Sequence, residues 1–540
     1  MNRFLPLIQA ISLSACVVYW QIFFKWIEEA DTRFVINLGK YILEHGFPHV
    51  DPFTVHENLQ LVAQQWLSGV LFWEAYKNFG FDGLVAIDAV VGTAIVLIYW
   101  RLCLFVSDGN KVLSFVMSLI VGFLIAPAIV TRPHILSAML FLIEVFCLEK
   151  FTRTENAKFL IPLPFLSIAL VNFHAAVWLM SLVLCLPFLF VKNFRHIKFL
   201  LAALGGIFIG GLINPYGVEA MTYVFRSYGI SMISENIPEM FTPSAHDFRG
   251  KFFYATEALL IISLARFKVP LRYIFLSGGL TFMAIMHGRN VILFYLLATI
   301  PIAYAWRELS VEKFKTMRMP MTILVFLLVA ANTTVIISFI QSDFENVALL
   351  PKILFFATLL FIAYNLLIVK IEGRILYPTL LPRKVLSLLI GFVVVSVIFF
   401  TTLQGTQSKP LRTYTNAIEF LLRDERPENI SLYVPQGIGG LAGSYGIKYY
   451  IDSRSEVFIP ANNGTQKNIL GEYLDFMNGK INYKDFFNRY DFTHIIVTSE
   501  KPYLFDELSS DKNFRVLYES EQAVGSEVIR CKIFKKVEHD

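Results

Sequence analysis

The sequence predicts a polytopic α-helical membrane protein that ends in a small α/β domain outside the bilayer, and three observations predict it. Of 540 residues, 56% are hydrophobic and 16% charged, with a mean hydropathy of +0.57, too apolar for a soluble chain of this length. The apolar residues gather into roughly thirteen spans suited to crossing a membrane. After Gln404 the chain turns polar, and short strand-like runs alternate with helical ones. The expected organisation is therefore a membrane domain at 1–404, with exterior loops 28–66 and 214–252, and an extracytoplasmic α/β domain at 405–540.

The first span, 5–27, contains Leu13-Ser14-Ala15-Cys16, which has the look of a lipoprotein cleavage box. Val17 to Phe24 stay apolar where a cleaved chain would turn polar, so it reads as an uncleaved anchor. The exterior segment after it is too long for a tight connection. Pro48, Pro52 and a turn at Gly46 divide it into a short helix at 32–44, an extended stretch at 47–54 and an amphipathic piece at 61–79. With Trp66 and Trp73 on it, that piece is expected to lie along the interface. Further spans are expected near 83–106, 111–130, 133–150, 157–173, 175–192, 197–213, 253–266, 271–286, 290–306, 319–340, 350–370 and 385–404. The loop at 214–252, punctuated by Pro215, Gly217, Pro238 and Pro243, suits a lid or an acceptor-binding role. In the tail, strands are expected at 430–434, 448–451, 494–497 and 514–518, and helices at 416–423 and 469–477. The run from Gly437 through Gly439 and Gly440 to Gly443 follows a strand, but its spacing is not that of a dinucleotide site, and it reads as a glycine-rich turn.

Sidedness follows from charge. Alternate short loops are basic, as in Lys150, Arg153 and Lys158, or Lys192, Arg195 and Lys198, or Arg307, Lys313, Lys315 and Arg318. Those loops and the N-terminus belong in the cytoplasm, and an odd number of crossings puts the tail outside a plasma membrane. The net charge of +5 is used in fixing topology and calls for no nucleic-acid partner. Cys16, Cys103, Cys147 and Cys185 fall in spans and Cys531 is alone in the tail, so no disulfide framework is expected.

The residues able to do chemistry lie almost entirely on the predicted outer side. Glu28, Glu29 and Asp31 are packed closely enough to repel one another, which favours a general base or a site for a divalent cation such as Mg or Mn; Asp31 or Thr32 also suits a helix N-cap. Arg132 and His134 flank Pro133 in a short turn, and His287 and Arg289 occupy another. Short turns hold a guanidinium rigidly, as binding a phosphate requires, whereas a single arginine would read as headgroup snorkelling. Asn172 and His174 repeat the pattern, Asn214 opens the second loop, and Asp88 and Glu257 lie near the outer ends of spans, able to line the same cavity or to be structural. A carboxylate base, cationic turns and an apolar groove suit a sugar carried on a polyprenyl phosphate. Charge neutralisation of the leaving phosphate replaces the second acid of a glycosidase.

At these residues the chain resembles a known family. Asp31 followed by Gly39-Lys40-Tyr41-Ile42, Gly46-Phe47-Pro48, Asp51-Pro52-Phe53-Thr54 and Gln65-Trp66-Leu67 is similar to the first exterior loop of bacterial GT-C membrane glycosyltransferases. Similarity continues at Thr131-Arg132-Pro133-His134, Asn172-Phe173-His174, Ile213-Asn214-Pro215-Tyr216-Gly217, Glu235 in Ile233-Ser234-Glu235-Asn236-Ile237-Pro238, His287-Gly288-Arg289, and Tyr450-Ile451-Asp452-Ser453-Arg454. The resemblance implies a GT-C-like fold and a polyprenyl-phosphate-linked sugar donor. It implies Asp31 as the catalytic base and a glycan, lipid or protein acceptor; Glu28, from the clustered acids, and Glu235 are the further catalytic candidates. Where a carboxylate would be expected before Trp66 the chain has Gln65. A lipid or glycan flippase or transporter is the main rival expectation, although its polar groups would be expected at mid-membrane. A polysaccharide polymerase or ligase would use similar chemistry on a lipid-diphosphate glycan, and a scaffold protein would leave the arginine turns unexplained.

Overall fold

The computed structural model describes residues 5–23, 30–190, 194–227, 231–246, 248–308, 409–524 and 527–537. The spans expected near 319–340, 350–370 and 385–404, and Glu28 and Glu29, lie outside them. The N-terminal part is helical for the reason its composition gives: apolar side chains cover helices whose backbone groups bond internally. In α1 (Leu5–Phe23), Ser12 and Ser14 return their hydroxyls to the carbonyls of Ile8 and Ala10, at 2.8 and 2.9 Å, leaving no polar stub facing outward. The expected short helix of the exterior segment is α2 (Ala30–His45). α3 (Trp66–Val106) breaks at Gly80, φ +60°, so the expected amphipathic piece and the expected span at 83–106 meet end to end across a kink. Then come α4 (Lys111–Ile125), α5 (Pro133–Thr154), α6 (Pro162–His174), α7 (Leu179–Cys185), α8 (Phe194–Gly211), α9 (Val218–Ser227), α10 (Ser231–Asn236), α11 (Phe248–Arg266) and α12 (Leu271–Met286).

Four helices among the described residues are long and apolar enough to cross a membrane: Trp66–Val106, Lys111–Ala128, Ala157–Val177 and Gly288–Ala305. That corrects the expectation of thirteen full-length spans. Helix breakers shorten several of the apolar runs. The run expected at 175–192 becomes α7 between 3-10 turns at Ala175–Val177 and Leu186–Leu189, the latter opened by Pro187. α5 carries Glu144, Glu149, Lys150 and Arg153 and so is less apolar than a span. At 22 residues it is nonetheless roughly 33 Å long, close to a bilayer core. Its two ends hold separate polar clusters. Arg132 is its N-cap; in its last turn Arg153 donates to the carbonyls of Phe105 and Val106, at 2.7 and 2.6 Å, and to Asp108. Arg272 grips buried Glu149 with two bonds of 3.1 and 3.2 Å. Between these ends α3 is the central helix, packed against α1, α2, α4, α5 and α6, and its Tyr99 hydroxyl meets Thr299 at 2.7 Å in the core.

The C-terminal domain is a five-stranded sheet in the order β2-β1-β3-β5-β4. β1 (Ser431–Tyr433) runs parallel to β2 (Lys448–Tyr449) and β3 (His494–Thr498), whereas β5 (Glu527–Lys536) is antiparallel to β3 and to β4 (Phe514–Val524). β5 was not expected. Its signal is the alternation of buried Ile529, Cys531 and Ile533 with Arg530 and Lys532. Helices cover the sheet, among them Lys409–Asp424, whose Leu411, Tyr414, Ile418 and Leu421 point inward at helical spacing. The first exterior segment continues this sheet beyond β2. Thr54 bridges Tyr449 in parallel, and Val55 N–H bonds the Tyr449 carbonyl at 2.9 Å, so the edge is covered. The glycine-rich run is a short helix, Gly439–Ser444, laid on α2. A Cβ at Gly440 would stand 3.2 Å from the Phe34 nitrogen, and Asn37 donates to the Gly440 carbonyl at 2.7 Å. These glycines permit close helix packing.

Candidate functional site

Two hydrogen bonds bring Asp31 and Arg132 together. Thr131 donates to buried Asp88 on α3 at 2.8 Å, fixing the turn before α5. Thr32 donates to the Thr131 carbonyl at 2.9 Å, docking the start of α2 on that turn. Asp31, in the first turn of α2, and Arg132, capping α5, are thereby side by side and form an ion pair. The other arm of the guanidinium, Nη1, holds Glu239 at 2.8 Å. The Arg132–Asp31 pair is partly accessible, its side chains 23% and 33% exposed.

Glu239 reaches Arg132 because its turn, Pro238–Met240, is pinned to the turn that carries Arg289. His287 Nδ1 donates to the Met240 carbonyl at 3.3 Å, and Gly288 N–H donates to the Phe241 carbonyl at 3.0 Å. A Cβ at Gly288 would come within 2.7 Å of that carbonyl oxygen, so the middle residue of His287-Gly288-Arg289 has to be glycine. Burial works against ionisation of Glu239, but the Arg132 guanidinium outweighs it, with help from His134 and Arg289, and holds the carboxyl below its ordinary range. His174 lies within electrostatic reach of Arg132, Arg289 and His134. The result is a cluster of two guanidiniums and two carboxylates with two histidines beside them.

The histidines are oriented inward. His134 donates from Nε2 to the Ala128 carbonyl at 2.7 Å, and His174 Nδ1 pairs with Ser137 at 2.9 Å. Two residues before His174, Asn172 bonds Trp66 Nε1 and the carbonyls of Ile168 and Ile213. It stands in the wall of an open, apolar groove of about 510 Å³ that also includes Trp66, Leu67, Phe173, Leu212 and Ile213. Asn214 folds its own loop, donating to the carbonyls of Gly211 and Gly217 and accepting from Tyr216 N–H. Asn172, Asn214 and Asp88 are thus fixed by structural bonds.

Of the residues expected to act, Asp31, Arg132, His134, His174 and Arg289 converge, and His287 fixes the Glu239 turn. Glu235 is exposed on α10 and Glu257 half-buried on α11; among the described residues neither makes a hydrogen bond or ion pair. Glu239 was not expected. Its signal was local, an acid beside Pro238 in the loop that already held Glu235. Nor was the burial of Arg454 between Asp51 and Asp452, both at 2.6 Å, expected, since Asp51 is 403 residues away in sequence. Among the described residues, Asp31 and Glu239 both hold the Arg132 guanidinium, and no group of three or more His, Cys, Asp or Glu is placed to hold a metal ion. No family model matches the chain, and no curated protein gives a significant match.

Proposed function

We propose that this chain is an integral-membrane glycosyltransferase of the GT-C type, transferring a sugar from a polyprenyl-phosphate donor to a glycan, lipid or protein acceptor. The observation that carries it is the Asp31–Arg132–Glu239 cluster, with Arg289 and His174 within electrostatic reach of it. The prenyl chain lies against apolar helices and its phosphate takes the guanidinium of Arg132 from Asp31, leaving that carboxylate open. Asp31 then accepts the proton of an acceptor hydroxyl, whose oxygen bonds to the anomeric carbon as the bond from that carbon to the phosphate oxygen breaks. The phosphate departs with the electron pair, its charge met by Arg132 and Arg289. The topology proposed with this reading has a cytoplasmic N-terminus, with the cluster and 405–540 outside a plasma membrane. Sugar transfer from synthetic polyprenyl-phosphate sugars by the purified protein tests it; a lipid-diphosphate glycan run alongside separates the polymerase or ligase variant.

A flippase or transporter is the second reading, and Glu144 favours it. That acid is buried halfway along α5, bonded by Ser181 at 2.7 Å and Cys185 at 3.6 Å, with no cation beside it in those contacts. An ionisable group at that depth is typical of substrate or proton pathways. Lipid movement without any glycosyl product would decide for it.

A further inference from the structure

The C-terminal domain covers the face of α2 that carries Asp31. Phe34 shares that face at the i+3 position. The Arg454 guanidinium lies 4.1 Å from the Phe34 ring centre, and Gly440 packs against the backbone of Ala30 and Phe34. Glu456 follows in the turn Ser455–Phe458, and its Oε1 accepts from Gln64 Nε2 at 3.1 Å. Gln64 is itself tied to the turn after His174, its carbonyl accepting from Ala175 N–H at 2.8 Å. Glu456 is therefore anchored toward the His174 turn and sits within electrostatic reach of Asp31, Asp452 and Arg454. We infer that Glu456 is a substrate-facing carboxylate supplied by the C-terminal domain, which hydrogen-bonds a hydroxyl of the acceptor lying over Asp31. The inference rests on the glycosyl-transfer reading. Burial raises the Glu456 pKa; its own backbone N–H and Arg454 oppose that, and the charges of Asp31 and Asp452 add to it. That moves Glu456 toward the protonated form, which donates where Asp31 accepts. A site with such a donor rejects acceptors that lack the matching hydroxyl.

Two measurements on the full-length protein test this. In ligand-free protein, the infrared carboxyl band assigned to Glu456 by its loss in Glu456→Gln is titrated in wild type and in Asp31→Asn. Removing the Asp31 charge moves the midpoint down; an unmoved midpoint overturns the inference whatever the activity. In transfer assays with a synthetic polyprenyl-phosphate sugar as donor and octyl glucoside as acceptor, Glu456→Ala raises the acceptor KM by about tenfold or more and leaves the donor KM within about twofold. Glu456→Gln, which keeps a donor, raises the acceptor KM several-fold less than Glu456→Ala does. Equal losses in the Gln and Ala variants, or a change confined to the donor KM, overturn it. If wild type transfers nothing from any donor, the transferase reading falls and the acceptor role with it. The carboxyl coupling alone then reports whether Glu456 faces Asp31, which tells the two failures apart.

Discussion

Asp31 begins α2, where the helix dipole favours a carboxylate and Arg132 meets it directly. In the proposed role of base it would not tolerate its amide: Asp31→Asn should lower turnover by about 100-fold while the protein folds and inserts normally, the usual loss for a general base. Steady-state transfer by the purified variant checks this, and near wild-type turnover would remove Asp31 from the chemistry. At this scale the sequence was informative where a residue is fixed by its neighbours in the chain. Arg132 and Arg289 could be singled out because short turns hold them. Glu239 could not be preferred over Glu235, because the choice depends on Gly288 and His287 pinning a turn from a different part of the chain.

Between elements, the contrast is burial. Arg454 is 4% exposed, and its partners Asp51 and Asp452 are fully buried. Arg454→Met leaves two buried carboxylates without their cation and should cost about 3–5 kcal/mol, read as a lowered Tm and early proteolysis within 405–540. An unchanged Tm would mean that this junction does not hold the domain in place. His56 gives the same junction a pH dependence. It donates to the Tyr450 carbonyl at 2.8 Å among Tyr450, Phe458 and Tyr490. Burial pushes its imidazole down to about 4; the Tyr450 carbonyl, Asp51 and Glu472 oppose that and Lys467 adds to it. The unfolded side chain titrates near 6.5, so below that pH the unfolded state binds more protons than the folded one. Stability is complete above about 6.5 and is lost as the pH falls toward 4. Protection factors at 49–61, which remove the intrinsic pH dependence of amide exchange, should fall between pH 7 and 5 in wild type and far less in His56→Gln; an equal fall in both would assign the effect elsewhere. Helices such as α2 and Lys409–Asp424 were readable because their spacing is local. The bridge from Thr54 to Tyr449 was not, because strand addition from a distant loop leaves no periodic trace.

For the whole molecule, the charge of the short loops sets an expectation of sidedness. Lys198, Arg272 and Lys313 are expected in the cytoplasm and Asp31, Asn236 and Asp452 outside. Single-cysteine labelling in intact cells reads this directly: protection of Asn236→Cys together with labelling of Lys198→Cys would reverse the orientation. Composition alone overstated the number of full-length spans because an average over an apolar run does not register Pro187 or the acids of α5. The central claim is a phosphate clamp beside a base, and transfer from synthetic polyprenyl-phosphate sugars by purified wild type, Arg132→Lys and Arg289→Lys tests it most directly. The account predicts transfer in wild type. In both variants it predicts a donor KM raised about tenfold or more, because lysine keeps the charge and loses the planar fork, with the acceptor KM unchanged. No transfer from any donor, or an unaltered donor KM in both variants, would contradict it.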